Sequence, residues 1–146
     1  MARLNPWDIM PIDKEATREA VEDRLQRIAF YRRFGSVRRE AALTPSYELK
    51  EGGSSGAISK QTENIAVFNV HEDEMNEHYS QLLDKTLARM RSREKDIIQA
   101  CYLELDPDYD FNIAKEMGMS ISSFNMHKSK AIYNLAMGMR LEVLEE

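Results

Sequence analysis

The sequence predicts an all-α protein with an N-terminal helix, a flexible linker and a C-terminal helical domain that contains a helix-turn-helix. Three observations lead there. The 146 residues include only 6 Gly and 4 Pro, while strong helix formers such as Leu, Ala, Met, Lys, Arg and Glu dominate. Apolar residues recur at three-to-four-residue steps over long stretches. Near the C-terminus a glycine corner is followed at once by a serine suited to capping a helix. The length suits one ordinary domain or two small ones and excludes a large multidomain enzyme. With 42% hydrophobic and 31% charged residues, the chain can fill a modest core while carrying more charge than an average globular protein.

Residues 12–34 form the first predicted helix, with Ala16, Val21, Leu25, Ile28 and Ala29 on one face among charges. Asp13 or Thr17 can cap its start. Its end is expected at Gly35-Ser36, just after Arg32 and Arg33, whose cations suit the negative end of the helix dipole. The first unit is therefore residues 1–35. Residues 36–63 are expected to be a linker, on the strength of Thr44-Pro45, a Tyr47/Leu49 alternation and Gly52-Gly53-Ser54-Ser55-Gly56.

Residues 64–146 make up the expected C-terminal domain. Asn64 to Val70 is apolar and partly β-branched, and reads equally as strand or helix. From Glu72 to Met90, Met75, Tyr79, Leu82, Leu83, Thr86, Leu87 and Met90 share one helical face. Ser92 is the expected N-cap of a helix from Arg93 to Leu103, with Ile97, Ile98, Cys101 and Tyr102 as its inner stripe and Asp106-Pro107 as its stop.

The most specific segment runs from Phe111 to Leu135. Ile113 and Met117 face inward one turn apart, Ala114 is small where two helices would cross, and Gly118 can adopt the left-handed conformation that ends a helix. Met119 plugs the corner. Ser120 caps a second helix whose Phe124, Ala131, Ile132 and Leu135 face the core. Ile121, Ser122, Ser123, Asn125, Met126, Lys128 and Ser129 project outward. Such a surface suits the DNA major groove: Asn125 can pair bidentately with adenine, serines are adaptable donors, and small apolar groups can meet a thymine methyl. Lys128, Lys130 and Arg140 can reach phosphates. Between Ser120 and Arg140 there are three cations and no acid, in a chain of net charge −5. The predicted DNA-binding set is Ser120, Ile121, Ser122, Ser123, Asn125, Met126, Lys128, Ser129 and Lys130. Arg32, Arg33, Arg38 and Arg39 form a second basic cluster that could reach DNA beside it.

The pattern Ile113-Ala114-x-x-Met117-Gly118-x-Ser120-x-x-x-Phe124, with Lys130-Ala131 and Leu135, resembles the promoter-reading region 4 of bacterial sigma factors. Met90 to Ile98 resembles the start of that module's upstream helix. Taken with Tyr31 to Arg33, Thr44-Pro45-Ser46-Tyr47 and Gln61-Thr62-Glu63-Asn64, most of the chain resembles the ArpU family of phage-encoded transcriptional regulators. The resemblance implies an activator of phage late genes, those for packaging and lysis, in a Gram-positive host. Asn125 and Met126 stand where more strongly charged residues are common on such recognition helices.

Other constellations have plainer readings. His71, Glu74 and His78 could align on a helix toward a metal, but with no fourth ligand evident they read as a solvated acidic face. His127 can touch phosphate or simply face solvent. Cys101 sits on an apolar stripe with no catalytic partner, and one cysteine makes neither a disulfide nor a metal clamp. The nine Met residues read as packing. No paired carboxylates, activated nucleophile or phosphate-cradling glycine loop is present, so neither enzyme activity nor a cofactor or metal is expected. No run approaches the roughly 20 apolar residues of a membrane helix, and the first residues lack a signal-peptide core, so the expected setting is the cytoplasm with no membrane partner, which the resemblance implies is that of a bacterial host. The expected partner is double-stranded DNA at a promoter or operator. RNA polymerase and a second copy of the chain are further candidates, since the first helix can dock on the C-terminal module or on another subunit. The rival readings are a protein-docking module for RNA polymerase and a component of DNA packaging resembling a small terminase subunit.

Overall fold

The computed structural model describes residues 4–43 and 56–146, with the side chains of residues 36, 39, 41–43 and 56–69 left aside. The described chain is all-α. Its elements are α1 (Pro6–Ile9), α2 (Lys14–Leu43), α3 (Gly56–Ala88), α4 (Ser92–Ile98), a π-helical turn (Gln99–Leu103), α5 (Asp110–Glu116) and α6 (Ile121–Met139).

Helix α2 begins where Asp13 accepts the Ala16 N–H at 3.0 Å, one of the two caps the sequence offers. The other, Thr17, is buried instead, and its Oγ accepts the Val143 N–H at 2.9 Å. The expected break at Gly35-Ser36 does not occur, because α2 continues to Leu43. A single glycine costs a helix only about 1 kcal/mol, and the residues after it are good helix formers. Gly35 serves the packing of its own helix: a Cβ there would lie 2.9 Å from Cδ2 of Tyr31. The expected linker is likewise helical at both margins, up to Leu43 and again from Gly56. Its Thr44-Pro45, its Tyr47/Leu49 alternation and Gly52 to Ser55 lie outside the described residues. The ambiguous residues 64–70 are helical, inside α3.

Two hydrophobic clusters organise the molecule. The larger joins Val21, Leu25 and Ile28 of α2 to Leu83 and Leu87 of α3, Ile98 of α4, and Ala131, Ile132, Leu135, Ala136 and Met139 of α6. The smaller joins Ile97 of α4, Ile113 and Ala114 of α5 and Phe124 of α6. Ser92 is not the cap expected of it: Arg91 takes the extended cap conformation and Ser92 is already helical. The predicted single helix to Leu103 divides after Ile98 into the π-helical turn. Its wider winding shifts the side-chain register. Ala100 and Cys101 pack on the smaller cluster, while Tyr102 and Leu103 pack on the larger.

The two ends of the chain close on α6. Trp7 of α1 is buried against Tyr133, ring centroids 5.8 Å apart, and the Tyr133 hydroxyl donates to the Lys14 carbonyl at 3.2 Å. The acidic tail folds back beside residues 11–13: Asp13 N–H donates to Val143 O at 2.7 Å and Glu145 N–H to Pro11 O at 2.8 Å. No helix among the described residues is long and apolar enough to cross a membrane.

Candidate nucleic-acid interface

The turn between α5 and α6 follows from three residues. Gly118 sits at φ +69°, and the Met119 N–H reaches back to the Ala114 carbonyl at 2.9 Å, the long-range bond that closes a glycine-terminated helix. A Cβ on Gly118 would meet nothing within 4 Å. Glycine is needed there for its backbone conformation and not for space. Ser120 then starts α6, its Oγ accepting the Ser123 N–H at 3.1 Å. Beneath the turn, Phe124 is fully buried against Ile113, Ala114 and Ile97, which fixes the rotation of α6 about its own axis.

That rotation decides which predicted residues face outward. Ile121, Ser122, Asn125 and Met126 are exposed, with Met126 at 53% of its free surface and Ile121 at 43%. Ser122, Asn125, Met126 and Ser129 fall at i, i+3, i+4 and i+7 and so share one face, Ser129 being half-buried. The side chains of Ser122 and Asn125 make no hydrogen bond within the described residues, which leaves their donors and acceptors available to a ligand. Ser120 is held at the cap and Ser123 is half-buried beside it, so both position the helix. Lys130 is half-buried on the flank of the same helix. Arg140 is exposed at the left-handed C-cap of α6.

Lys128 departs from the expected role. Only 12% of its side chain is exposed, and its Nζ lies 2.7 Å from Asp110 Oδ2 and 5.4 Å from the centre of the Tyr102 ring. Position 128 lies one turn after Phe124 and so on the core side, where the ammonium ties α6 to α5 and to the π-helical turn. Asp110 also accepts a long contact from the Cys101 thiol at 3.9 Å. Burial pushes the Cys101 thiol up to about 11, Lys128 acting against the shift and Asp110 with it. The Tyr102 hydroxyl is raised for the same main reason, burial. On this side of the turn Asp108, exposed, is held below the ordinary carboxylate value by a hydrogen bond from Asn112 and another from the Tyr109 backbone.

The second basic cluster is also redistributed. Arg32 is spent inside the α2–α3 contact, donating to Ser80 Oγ at 2.8 Å, Ser80 O at 2.9 Å and Asp84 Oδ1 at 2.8 Å. Arg33 lies 5.9 Å from the Phe34 ring centre and Arg38 5.7 Å from that of Phe30. The Arg39 side chain lies outside the described ones.

The structure gathers a cationic set that the sequence reading did not single out. A groove on the Lys130 flank of α6 is walled by Trp7 of α1, by Lys85 of α3, by Arg89 and Arg91 of the α3–α4 turn and by Asn134 of α6. The signal was present: from Lys85 to Arg93 there are four cations and no acid. The same residues also fit the start of a helix, which is how Met90 to Ile98 reads by its resemblance to the sigma module. Glu94, the groove's acid, is buried and accepts a hydrogen bond from Asn134 Nδ2 at 2.9 Å. Among the described residues no three His, Cys, Asp or Glu side chains come together as a metal site, and His78 stacks edge-on against Tyr79.

Comparison with protein-family models, with curated proteins and with solved structures finds no match for this chain.

Proposed function

We propose that the protein is a sequence-specific double-stranded DNA-binding regulator of transcription that places the N-terminal half of α6 in the major groove. One observation carries the reading. The outward face of α6 offers Ser122 and Asn125 with unsatisfied hydrogen-bonding groups beside the exposed apolar Ile121 and Met126, on a helix fixed by a capped, glycine-terminated turn. This combination of base-edge donors, acceptors and small apolar surface is what major-groove readout uses. The absence of any acid from Ser120 to Arg140 supports it further, since an acid there would meet phosphate at close range.

The resemblance to the ArpU regulators supplies the setting in this proposal: control of phage late genes in the cytoplasm of a bacterial host, with RNA polymerase as the protein partner. The molecule acts by binding, with no reaction of its own. Selection from randomised duplex DNA at near-physiological salt, followed by sequencing of the retained pool, tests the reading. An enriched motif is the expected result. A folded protein that retains duplexes without enrichment, or retains none, contradicts it.

A further inference from the structure

The groove beside α6 concentrates charge against the trend of the molecule. Several cations elsewhere are ion-paired: Lys14 with Asp8, Arg18 with Glu22, Arg27 with Asp23 and Glu72, Arg32 with Asp84, and Lys128 with Asp110. Lys85, Arg89, Arg91 and Lys130 instead line one groove, and their side chains make no hydrogen bond or ion pair to any described residue. Glu94 offsets one of the four, and its carboxylate is turned to Asn134. In a chain of net charge −5, such a concentration is an uncompensated repulsion within the free protein that an anionic ligand relieves.

We propose that this groove seats the sugar-phosphate backbone of duplex DNA alongside the base-reading face, and that Lys85, Arg89, Arg91 and Lys130 neutralise its phosphates. The inference rests on the DNA-binding reading of α6 and names a second part of that interface. Three features favour a polyanion over a small anionic molecule. Lys85, Arg89 and Arg91 are exposed at the rim, whereas small-molecule sites enclose their ligand and converge a few buried polar groups on it. The cations are spread over α3, the α3–α4 turn and α6. Lys85 lies in the last turn of α3 and Arg89 and Arg91 follow in the turn after it, separate cations that suit a repeating anion, one phosphate per about 3.4 Å of a DNA strand. Lys130 connects the groove to the reading face, one turn beyond Met126 on the same helix. Trp7, packed on Tyr133, brings α1 to the edge of the groove and makes the N-terminal segment part of the footprint.

The test is the salt dependence of binding by the full-length chain and by a Lys85→Ala/Arg89→Ala/Arg91→Ala variant, on a duplex retained by selection and on a scrambled one. Loss of three phosphate contacts is expected to flatten the slope of log K against log salt by about 2.7, at about 0.9 per contact, on both duplexes. The affinity ratio between them should stay within about twofold. These side chains are exposed, so the variant should melt with the wild type, and Lys130→Gln gives an independent check with an expected change of about 0.9. Unchanged slopes in both variants, with base preference intact, overturn the groove and leave the reading of α6 standing. Flattened slopes in the variants, with a wild type that shows no base preference, uphold the groove and overturn the reading. A wild type that binds no duplex overturns both.

Discussion

Asn125 and Lys128 are three positions apart on α6 and have opposite environments, one open to solvent and the other enclosed. Asn125 is exposed with its amide unpaired, so under the proposed DNA-binding role Asn125→Ala removes hydrogen bonds that only the ligand would receive. We expect a loss of about 1–3 kcal/mol in discrimination at one base pair, read as a relaxed position in a repeated selection, with the melting temperature unchanged. Lys128 is 12% exposed and bound to Asp110, which is itself 41% exposed. Because one partner is open to water, the pair is worth little more than a surface one. Lys128→Ala should therefore cost about 1 kcal/mol of stability in a urea titration and leave the salt dependence of DNA binding untouched. A salt slope that fell by about 0.9 would return Lys128 to the phosphate-contacting role.

At the scale of elements, the arrangement depends on a few close approaches. Gly138 is exposed at the end of α6, yet a Cβ there would lie 2.5 Å from Cγ2 of Thr86 on α3, and the Thr86 hydroxyl is already committed to the Leu82 carbonyl at 2.8 Å. Gly138→Ala should force α3 and α6 apart at a cost of about 1–3 kcal/mol, seen as a lower denaturation midpoint. Because Thr86 lines the same groove as Lys85 and Arg89, the substitution should weaken DNA binding without altering base preference. Legibility from sequence follows the range of the forces involved. The α5–α6 turn was readable because Gly118 and Ser120 act within a few residues of themselves, and Phe124, Ala131, Ile132 and Leu135 are buried as their spacing predicts. Gly35 misled because its local reading as a stop competes with the packing of Tyr31 over it. Lys128 misled because its partner Asp110 lies on another helix, 18 residues away in sequence. Arg32 is the same case at greater range, paired with Ser80 and Asp84 across α2 and α3.

Across the whole molecule, α6 is shared by both hydrophobic clusters, so it cannot shift without disturbing the bundle that contains α2 and α3. The π-helical turn at the seam gives this coupling a pH signature. The Cys101 thiol is raised from its ordinary value of 9.0 to about 11, chiefly by burial, so the folded state favours the neutral form. A raised value contributes stability that is complete below the ordinary one and is lost as pH rises through the folded one. Between about pH 9 and pH 11 the urea midpoint should fall more steeply in the wild type than in Cys101→Ala. Parallel profiles would show that the thiol ionises alike in the folded and unfolded chains.

As proposed, α6 and the cationic groove beside it form one continuous surface for duplex DNA. Backbone amide shift mapping, with isotopically labelled full-length protein titrated by a duplex retained in selection, tests it most directly. Perturbations are expected to concentrate at Ser120 to Ser129 and at Lys85 to Arg91, with Arg32 and its contact to α3 unmoved. Perturbations centred on Arg33 and Arg38, with the N-terminal half of α6 silent, would contradict it.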